Sequence, residues 1–268
     1  METPLVSVIV PIYNAAIDLV SCLESIKRQR YTHLEILLVN DGSNDASLEI
    51  CRMYARLDPR IVIIDKENSG VSGTRNVAIE RATGKYLQFV DADDALDLHA
   101  TRLMVETIEE SGSDLLISHY CSVARSERTT VYGFLPPDAV MDKGQFARYL
   151  MEEPASFYYG VMWNKLYRRD IIMEHDIRCN EEFTWSEDML FNLEYIRYAE
   201  SFYSLRTPVY YYVRQKKGSL SAQVTPAKVL STKASLFKYY KQLYIDLGLY
   251  DKYKLQIYAY LVAMAKDM

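Results

Sequence analysis

Cysteine is scarce in this chain. Only Cys22, Cys51, Cys121 and Cys179 occur in 268 residues, far apart and with no CxxC pair. That suggests neither a disulfide framework nor a zinc site and fits a reducing compartment. The four histidines, His33, His99, His119 and His175, show no ligand spacing and read as structural or exposed. No stretch approaches the roughly 18 apolar residues that mark a membrane span. The N-terminus, Met1-Glu-Thr-Pro4, runs straight into a strand pattern and does not look like a signal peptide. These absences together lead to an expectation of a cytoplasmic protein. Positive charge is also in deficit: 31 Lys/Arg against 36 Asp/Glu give a formal net of −5, which speaks against a general nucleic-acid binder.

What is present is an ordinary globular composition, 49% hydrophobic and 25% charged, long enough for a large core in one or two domains. Charge is unevenly placed. From Arg206 onward there are 11 Lys/Arg and 3 acids, a local net of +8, leaving 20 against 33, or −13, for the rest.

The first 120 residues alternate strand and helix patterns. Leu5–Ile12, Glu35–Val39, Arg60–Asp65, Tyr86–Val90 and Asp114–Ser118 read as buried strands. Ala15–Gln29, Ser43–Leu57 (capped by Ser43 or Asn44), Ser72–Ala82 and His99–Ser111 read as helices between them. Near-continuous apolar strands between amphipathic helices imply a doubly wound, mostly parallel α/β sheet. In such sheets ligands gather at the carboxyl ends of strands. Polar clusters fall there: Tyr13-Asn14, Asn40-Asp-Gly-Ser43 and Asp91–Asp94. Later the alternation stops. Thr129–Phe134 suggests a strand, Lys143–Met151 and Asp188–Ala199 helices, Val209–Val213 an aromatic strand. A helical tail follows from Pro226, and its last pattern, Lys252–Met268, reaches the final residue without a stop signal, as a truncated chain or a frayed end would.

The segment Tyr86-Leu-Gln-Phe-Val-Asp-Ala-Asp-Asp-Ala95 runs an apolar strand into crowded carboxylates. One reading is a solvated turn that caps the next helix. The other is a divalent cation site, since Mg²⁺ and Mn²⁺ take oxygen ligands from one or two carboxylates plus substrate phosphates. A bound cation would also relieve the repulsion.

Five segments, spread over roughly residues 5 to 220, bear on that choice. They are Val6-Ser-Val-Ile-Val-Pro-Ile-Tyr-Asn14, Leu38-Val-Asn-Asp-Gly-Ser43, Gly70-Val-Ser-Gly-Thr-Arg-Asn76, Asp91-Ala-Asp-Asp94 and Trp185-Ser-Glu-Asp-Met-Leu-Phe191. Together and in this order they resemble the inverting family 2 glycosyltransferases of bacterial type. The resemblance implies a GT-A fold with a nucleotide-sugar-binding half (1–120), an acceptor and catalytic half (121–222) and a C-terminal helical extension (223–268). It implies transfer of a hexose or N-acetylhexosamine from a UDP-sugar to a glycan hydroxyl.

Residue by residue, the resemblance places Asp41 on the uracil, although Asp also suits a plain turn. Pro11, Tyr13 and Asn14 would bracket the base, with core packing the alternative for Tyr13. Arg75 would hold phosphate or a carboxylate in two-pronged fashion, with a surface ion pair as the plain reading. Its segment lacks GxGxxG and is not a dinucleotide fingerprint. Asp93 would bind Mn²⁺ or Mg²⁺, Asp91 the metal and ribose, and Asp94 would orient its neighbours. Asp188 would be the general base, with Glu187 the second candidate and helix capping the plain reading for both. Trp163, Asn164 and Lys165 resemble a segment near the sugar and acceptor, with a packed core Trp the alternative. Arg214, Lys216, Lys217, Ser219 and Ser221 resemble the region that closes over the diphosphate. Relatives often place a His ligand there; this chain has none.

Ten of the 23 tyrosines lie from Tyr210 onward. Three readings of that basic, aromatic tail stay open: packing on the domain, a homo-oligomer interface, and peripheral contact with an anionic membrane leaflet. Rival functions are a non-catalytic nucleotide-sugar sensor or assembly partner, and a sugar-phosphate nucleotidyltransferase. The latter would want a Gly- and Lys-rich loop where Pro11-Ile-Tyr-Asn14 stands.

Overall fold

Val6–Ile12 (β1), Leu34–Asp41 (β2), Ile61–Lys66 (β3) and Tyr86–Phe89 (β4) form the parallel strands expected from their apolar runs. The structure is a computed structural model, and it describes residues 3–123, 129–154, 156–183, 186–213 and 226–266. Between these strands lie α1 (Leu19–Lys27), α2 (Ser47–Leu57) and α3 (Gly70–Arg81). Ala95–Leu96 (β5), Ala100–Ser111 (α4), Leu115–Ser118 (β6), Tyr120–Val123 (β7), Thr130–Tyr132 (β8) and Ala139–Asp142 (β9) follow. Next come Lys143–Glu152 (α5), Phe157–Gly160 (α6), Lys165–Arg168 (β10), Arg169–Glu174 (α7), Glu187–Tyr198 (α8), Ser201–Leu205 (β11) and Tyr210–Val213 (β12). Pro226–Asp246 (α9) and Tyr250–Lys266 (α10) complete the described chain.

The main sheet has the order β3-β2-β1-β4-β10-β6-β11-β9, and β5-β12-β7-β8 form a second, smaller sheet. β10 runs antiparallel to both β4 and β6, so a strand from the second half of the chain joins strands of the first. β9, β10 and β11 were not legible as strands. Each is only 4 or 5 residues long, too short to show a period of its own.

In the first half of the chain three helix starts differ from expectation by two residues or more, α1 beginning at Leu19 and not at Ala15. α2 begins at Ser47, not Ser43, because the intervening side chains serve another loop: Asp45 accepts from the Ala16 amide (3.0 Å) and Ser47 Oγ from Ala15 (2.9 Å). α3 begins at Gly70 because Asp41, on a neighbouring strand, accepts the Ser69 and Gly70 amides at 2.8 and 3.0 Å.

The turn into β4 is tied down by Glu35, whose Oε1 accepts the Gly84 amide at 3.0 Å and the Ser7 hydroxyl. A Cβ on Gly84 would lie 2.6 Å from the Ser7 nitrogen and 2.8 Å from the Leu5 carbonyl oxygen, both backbone atoms. Gly84→Ala is therefore expected to destabilise the fold by about 1–3 kcal/mol, the usual range for overpacking, measured by chemical denaturation at constant m-value.

The helical tail packs on the domain. Tyr240 and Tyr244 are fully buried, donating to the carbonyls of Pro154 and Ala147. No helix of the described residues is long and apolar enough to cross a membrane.

Candidate active site

Parallel pairing aligns the carboxyl ends of β1, β2 and β4 at one edge, with Ile12 beside Asn40. The loops beyond are stitched together. The Asn14 amide donates to Ser43 Oγ (3.1 Å), and the Asn44 amide donates to Asn14 Oδ1 (2.8 Å). Asn14 adopts φ +50°, a conformation Asn tolerates better than most residues. This pose leaves the Tyr13 ring 53% exposed at the rim and Pro11 half-buried beneath it.

Asp41 is buried, and its carboxylate holds the N-terminus of α3 and the Lys66 ammonium. Strand register places Lys66 directly beside Asp41. Lys66 escaped the sequence reading, because only strand pairing reveals the juxtaposition.

Arg75 is the centre of the arrangement. It is buried on α3, yet its guanidinium meets three carboxylates. Nη1 donates to Glu187 Oε1 (3.1 Å) and to Asp188 Oδ1, and Nη2 to Asp91 Oδ1 (3.3 Å). Residues 112 and 113 positions apart are thus held in one cluster with Asp91. The clamp that delivers Glu187 and Asp188 is Asn76, the residue after Arg75. Its amide donates to the Cys179 carbonyl (2.9 Å) and Glu181 Oε1 (3.1 Å), and its Oδ1 accepts the Cys179 amide (2.8 Å). Glu187 and Asp188 then fall in the first turn of α8, where the helix dipole favours their charge. Further along α8, Asn192 donates to the Gly160 carbonyl (2.6 Å) and accepts from the Tyr167 hydroxyl (2.6 Å), anchoring the helix.

Electrostatics follow from burial. Loss of solvent pushes Asp91 up to about 6, against the pull of Arg75. Burial and then the Asp188 charge push Glu187 up to about 7. Burial, followed by the charges of Asp91 and Asp93, raises Asp94 well above the usual carboxylate range.

The acidic loop divides its residues by exposure. Asp94 is buried, accepting from the Tyr210 hydroxyl (2.8 Å) and the Val213 amide (2.7 Å). The same Tyr210 oxygen accepts the Asp91 amide at 3.1 Å. Tyr210 was unforeseen as a partner of this loop; a buried tyrosine's need to satisfy its hydroxyl is the signal that could have found it. Asp93 is exposed and forms no ion pair among the described residues. Two hard carboxylates, Asp91 and Asp93, fit a cation that fills its remaining positions with phosphate oxygens and water. They do not fit an all-protein cage, for the described residues contain no group of three or more His, Cys, Asp or Glu able to hold a metal ion.

The Trp163-Asn-Lys165 segment is placed differently from expectation. All three residues are buried, at 2%, 0% and 1% exposure. Trp163 is stacked on Tyr210 with ring centroids 4.2 Å apart, and the Lys165 ammonium donates to the Tyr158 (3.2 Å) and Val161 (2.5 Å) carbonyls and to Asn164 Oδ1 (2.8 Å). Asn164 donates to the Tyr158 carbonyl at 3.1 Å. With no open ring face and every ammonium proton engaged, these residues support the wall and do not present themselves to a sugar. Arg214, Lys216, Lys217, Ser219 and Ser221 lie outside the described residues, as does Trp185.

Comparison with known proteins matches this geometry to a family. Residues 7–176 fit the model described as glycosyl transferase family 2. The chain is 34% identical over 218 residues to the uncharacterized glycosyltransferase EpsJ of Bacillus subtilis, covering 81% of this chain and 63% of that protein. The chain thus spans under two thirds of that relative. The crystal structure of S. aureus TarS 1–349 in complex with UDP-GlcNAc superposes with TM-score 0.74 at 22% identity, covering 90% of this chain and 66% of that one. The mannosyltransferase PcManGT from Pyrobaculum calidifontis, in complex with GDP-Man and Mn²⁺, gives TM-score 0.62 at 18% identity, covering 99% and 76%. An eight-stranded, mostly parallel sheet, acids at its carboxyl edge and these matches converge: the chain belongs to glycosyl transferase family 2 and has the GT-A fold.

Proposed function

We propose that the chain moves a hexose or N-acetylhexosamine from a UDP-sugar to a hydroxyl of a glycan acceptor, inverting the anomeric centre. The observation that carries this reading is the Arg75 cluster, which joins the acidic loop after β4 to the Glu187-Asp188 pair on α8. A donor-side acid and a separate carboxylate pair meet within the reach of one side chain, as a single displacement needs. The UDP-GlcNAc complex of TarS supports a UDP-sugar donor, and the Mn²⁺ complex of PcManGT supports a divalent cation.

In this reading Asp188 accepts the proton of the acceptor hydroxyl while that oxygen forms its bond to the anomeric carbon. The bond from that carbon to the diphosphate oxygen breaks on the opposite face, and its electron pair leaves with UDP. Arg75 would hold the Asp188 carboxylate in place beside Asp91. A Glu187 partly protonated near neutrality lessens the repulsion beside it. Asp91 and Asp93 would hold Mn²⁺ or Mg²⁺, which supplies charge compensation for the departing diphosphate. Asp41 would read the uracil and Tyr13 would flank it, with Pro11 and Asn14 shaping that end. Arg214 would neutralise phosphate.

A thermal-shift series with UDP-, GDP- and CDP-sugars, each with and without Mn²⁺, tests the assignment. UDP-sugars with Mn²⁺ are expected to stabilise the chain by about 2–3 kcal/mol at a hundredfold excess over Kd. Equal shifts from the three nucleotides would remove Asp41 as a base reader.

A further inference from the structure

A cavity of about 430 Å³ lies between α8 and α9, closed at one side by the loop that carries Arg178 and Asn180. Its size falls within the roughly 300–1,000 Å³ of small-molecule sites. The mechanism above makes no use of it.

Its position follows from helix geometry. Glu187, Leu190, Glu194 and Arg197 recur at i, i+3, i+7 and i+10 and so share one stripe of α8. Leu190, Glu194 and Arg197 line the cavity, and Glu187 heads the stripe within the Arg75 cluster. At about 1.5 Å of rise per residue, the cavity begins about 5 Å from Glu187 along the axis and reaches beyond about 10 Å. The loop at its side is the one Asn76 clamps through Cys179 and Glu181. Cavity and reaction cluster therefore share α8, and the loop beside the cavity is tied to the residue next to Arg75.

Its positive charge rests on two side chains. Arg178, Arg197 and Lys238 face it with Glu194, and Arg197 is compensated by Glu194 and, through Nε at 2.7 Å, by Asp246 beside the lining residue Gln242, which leaves Arg178 and Lys238. Glu194 is engaged by Arg197 Nη1 through both carboxylate oxygens at 2.9 Å. Arg178 has only Asp176, itself 83% exposed, and exposed Lys238 forms no ion pair among the described residues. The half-buried Tyr239 adds a ring suited to the C–H face of a sugar, and Asn180 an amide. Lys238 and Tyr239 thus put a purpose to part of the basic, tyrosine-rich tail.

We infer that this cavity is an acceptor subsite that takes a negatively charged unit of the acceptor chain, its anion a sugar phosphate or a uronate. The inference rests on the glycosyl-transfer reading and extends it to the acceptor's class. An acceptor seated there lies along α8 and feeds its terminal hydroxyl toward Glu187 and Asp188.

The test measures binding of three probes to the whole chain at low salt by calorimetry: maltose 1-phosphate, a hyaluronan tetrasaccharide, and neutral maltotetraose. At least one anionic probe is expected to bind tenfold or more tighter than maltotetraose. Lys238→Glu and Arg178→Gln are each expected to weaken it tenfold or more, with the UDP-sugar thermal shift unchanged. Binding of the phosphate alone or the uronate alone identifies the anion. Neither anionic probe exceeding the neutral one, or both variants binding like the parent, overturns the inference. If Arg178→Gln fails to fold by circular dichroism, exposed Lys238→Glu decides. UDP release from the donor is assayed separately, so a failed glycosyl-transfer reading is told apart from a failed subsite.

Discussion

Arg75→Leu is expected to destabilise the protein by about 3–5 kcal/mol at pH 8, the cost of breaking a buried ion pair from one side. For a chain of this size that corresponds to a melting temperature lower by about 10 °C. The guanidinium is 3% exposed and is shared by Asp91, Glu187 and Asp188, so its loss leaves three carboxylates facing one another. The pH dependence has a definite sign. Asp91 at about 6 and Glu187 at about 7 bind protons more readily folded than unfolded, where their carboxyls titrate at the ordinary 3.8 and 4.5. The folded form therefore gains stability as pH falls from about 7 toward 5 and loses it as pH rises through that window. In the variant this dependence steepens, so the deficit at pH 8 shrinks by pH 5. Denaturation melts of both proteins at the two pH values check it. A constant deficit across that range would mean that Arg75 acts through packing alone.

Asp188→Asn is expected to lower kcat about 10²- to 10⁴-fold, the usual contribution of a positioned general base. The substitution keeps the shape and an oxygen for Arg75, so the KM for the donor stays near the parent value. Glu187→Gln is the companion variant. It removes a carboxyl that burial already pushes up to about 7, so its kcat falls far less and its melting temperature at pH 8 rises. UDP release across a donor series measures both. A larger loss from Glu187→Gln than from Asp188→Asn would exchange the roles of the pair.

Much of this arrangement was legible in the amino-acid order, and the parts that were not share a cause. The strands β1 to β4 announce themselves because parallel strands covered on both faces are apolar throughout, as Val8, Ile9 and Val10 are here. The segments holding Asp41, Arg75, Asp91 and Asp188 follow from strand ends and from resemblance. What pairwise spacing could not supply is contact between distant side chains. Lys66 beside Asp41, Tyr210 beneath Asp94, and Asn76 on Cys179 depend on register and packing. Trp163 shows the opposite failure. An aromatic near charged residues looks like a sugar platform in sequence, but four flanking rings, Tyr120, Phe157, Tyr210 and Tyr212, enclose it.

The placement of β10 has a consequence for how the polypeptide reaches its native state. Leu87 finds Tyr167 across 80 residues and Leu116 finds Leu166 across 50, so the sheet's middle closes only after most of the catalytic region has been synthesised. Until then β4 and β6 carry unsatisfied amides and carbonyls along their facing edges, a template for mispairing. Such non-local closure slows folding and favours assistance during biosynthesis. A fragment ending near residue 120 would inherit the same open slot permanently and would tend to associate with itself.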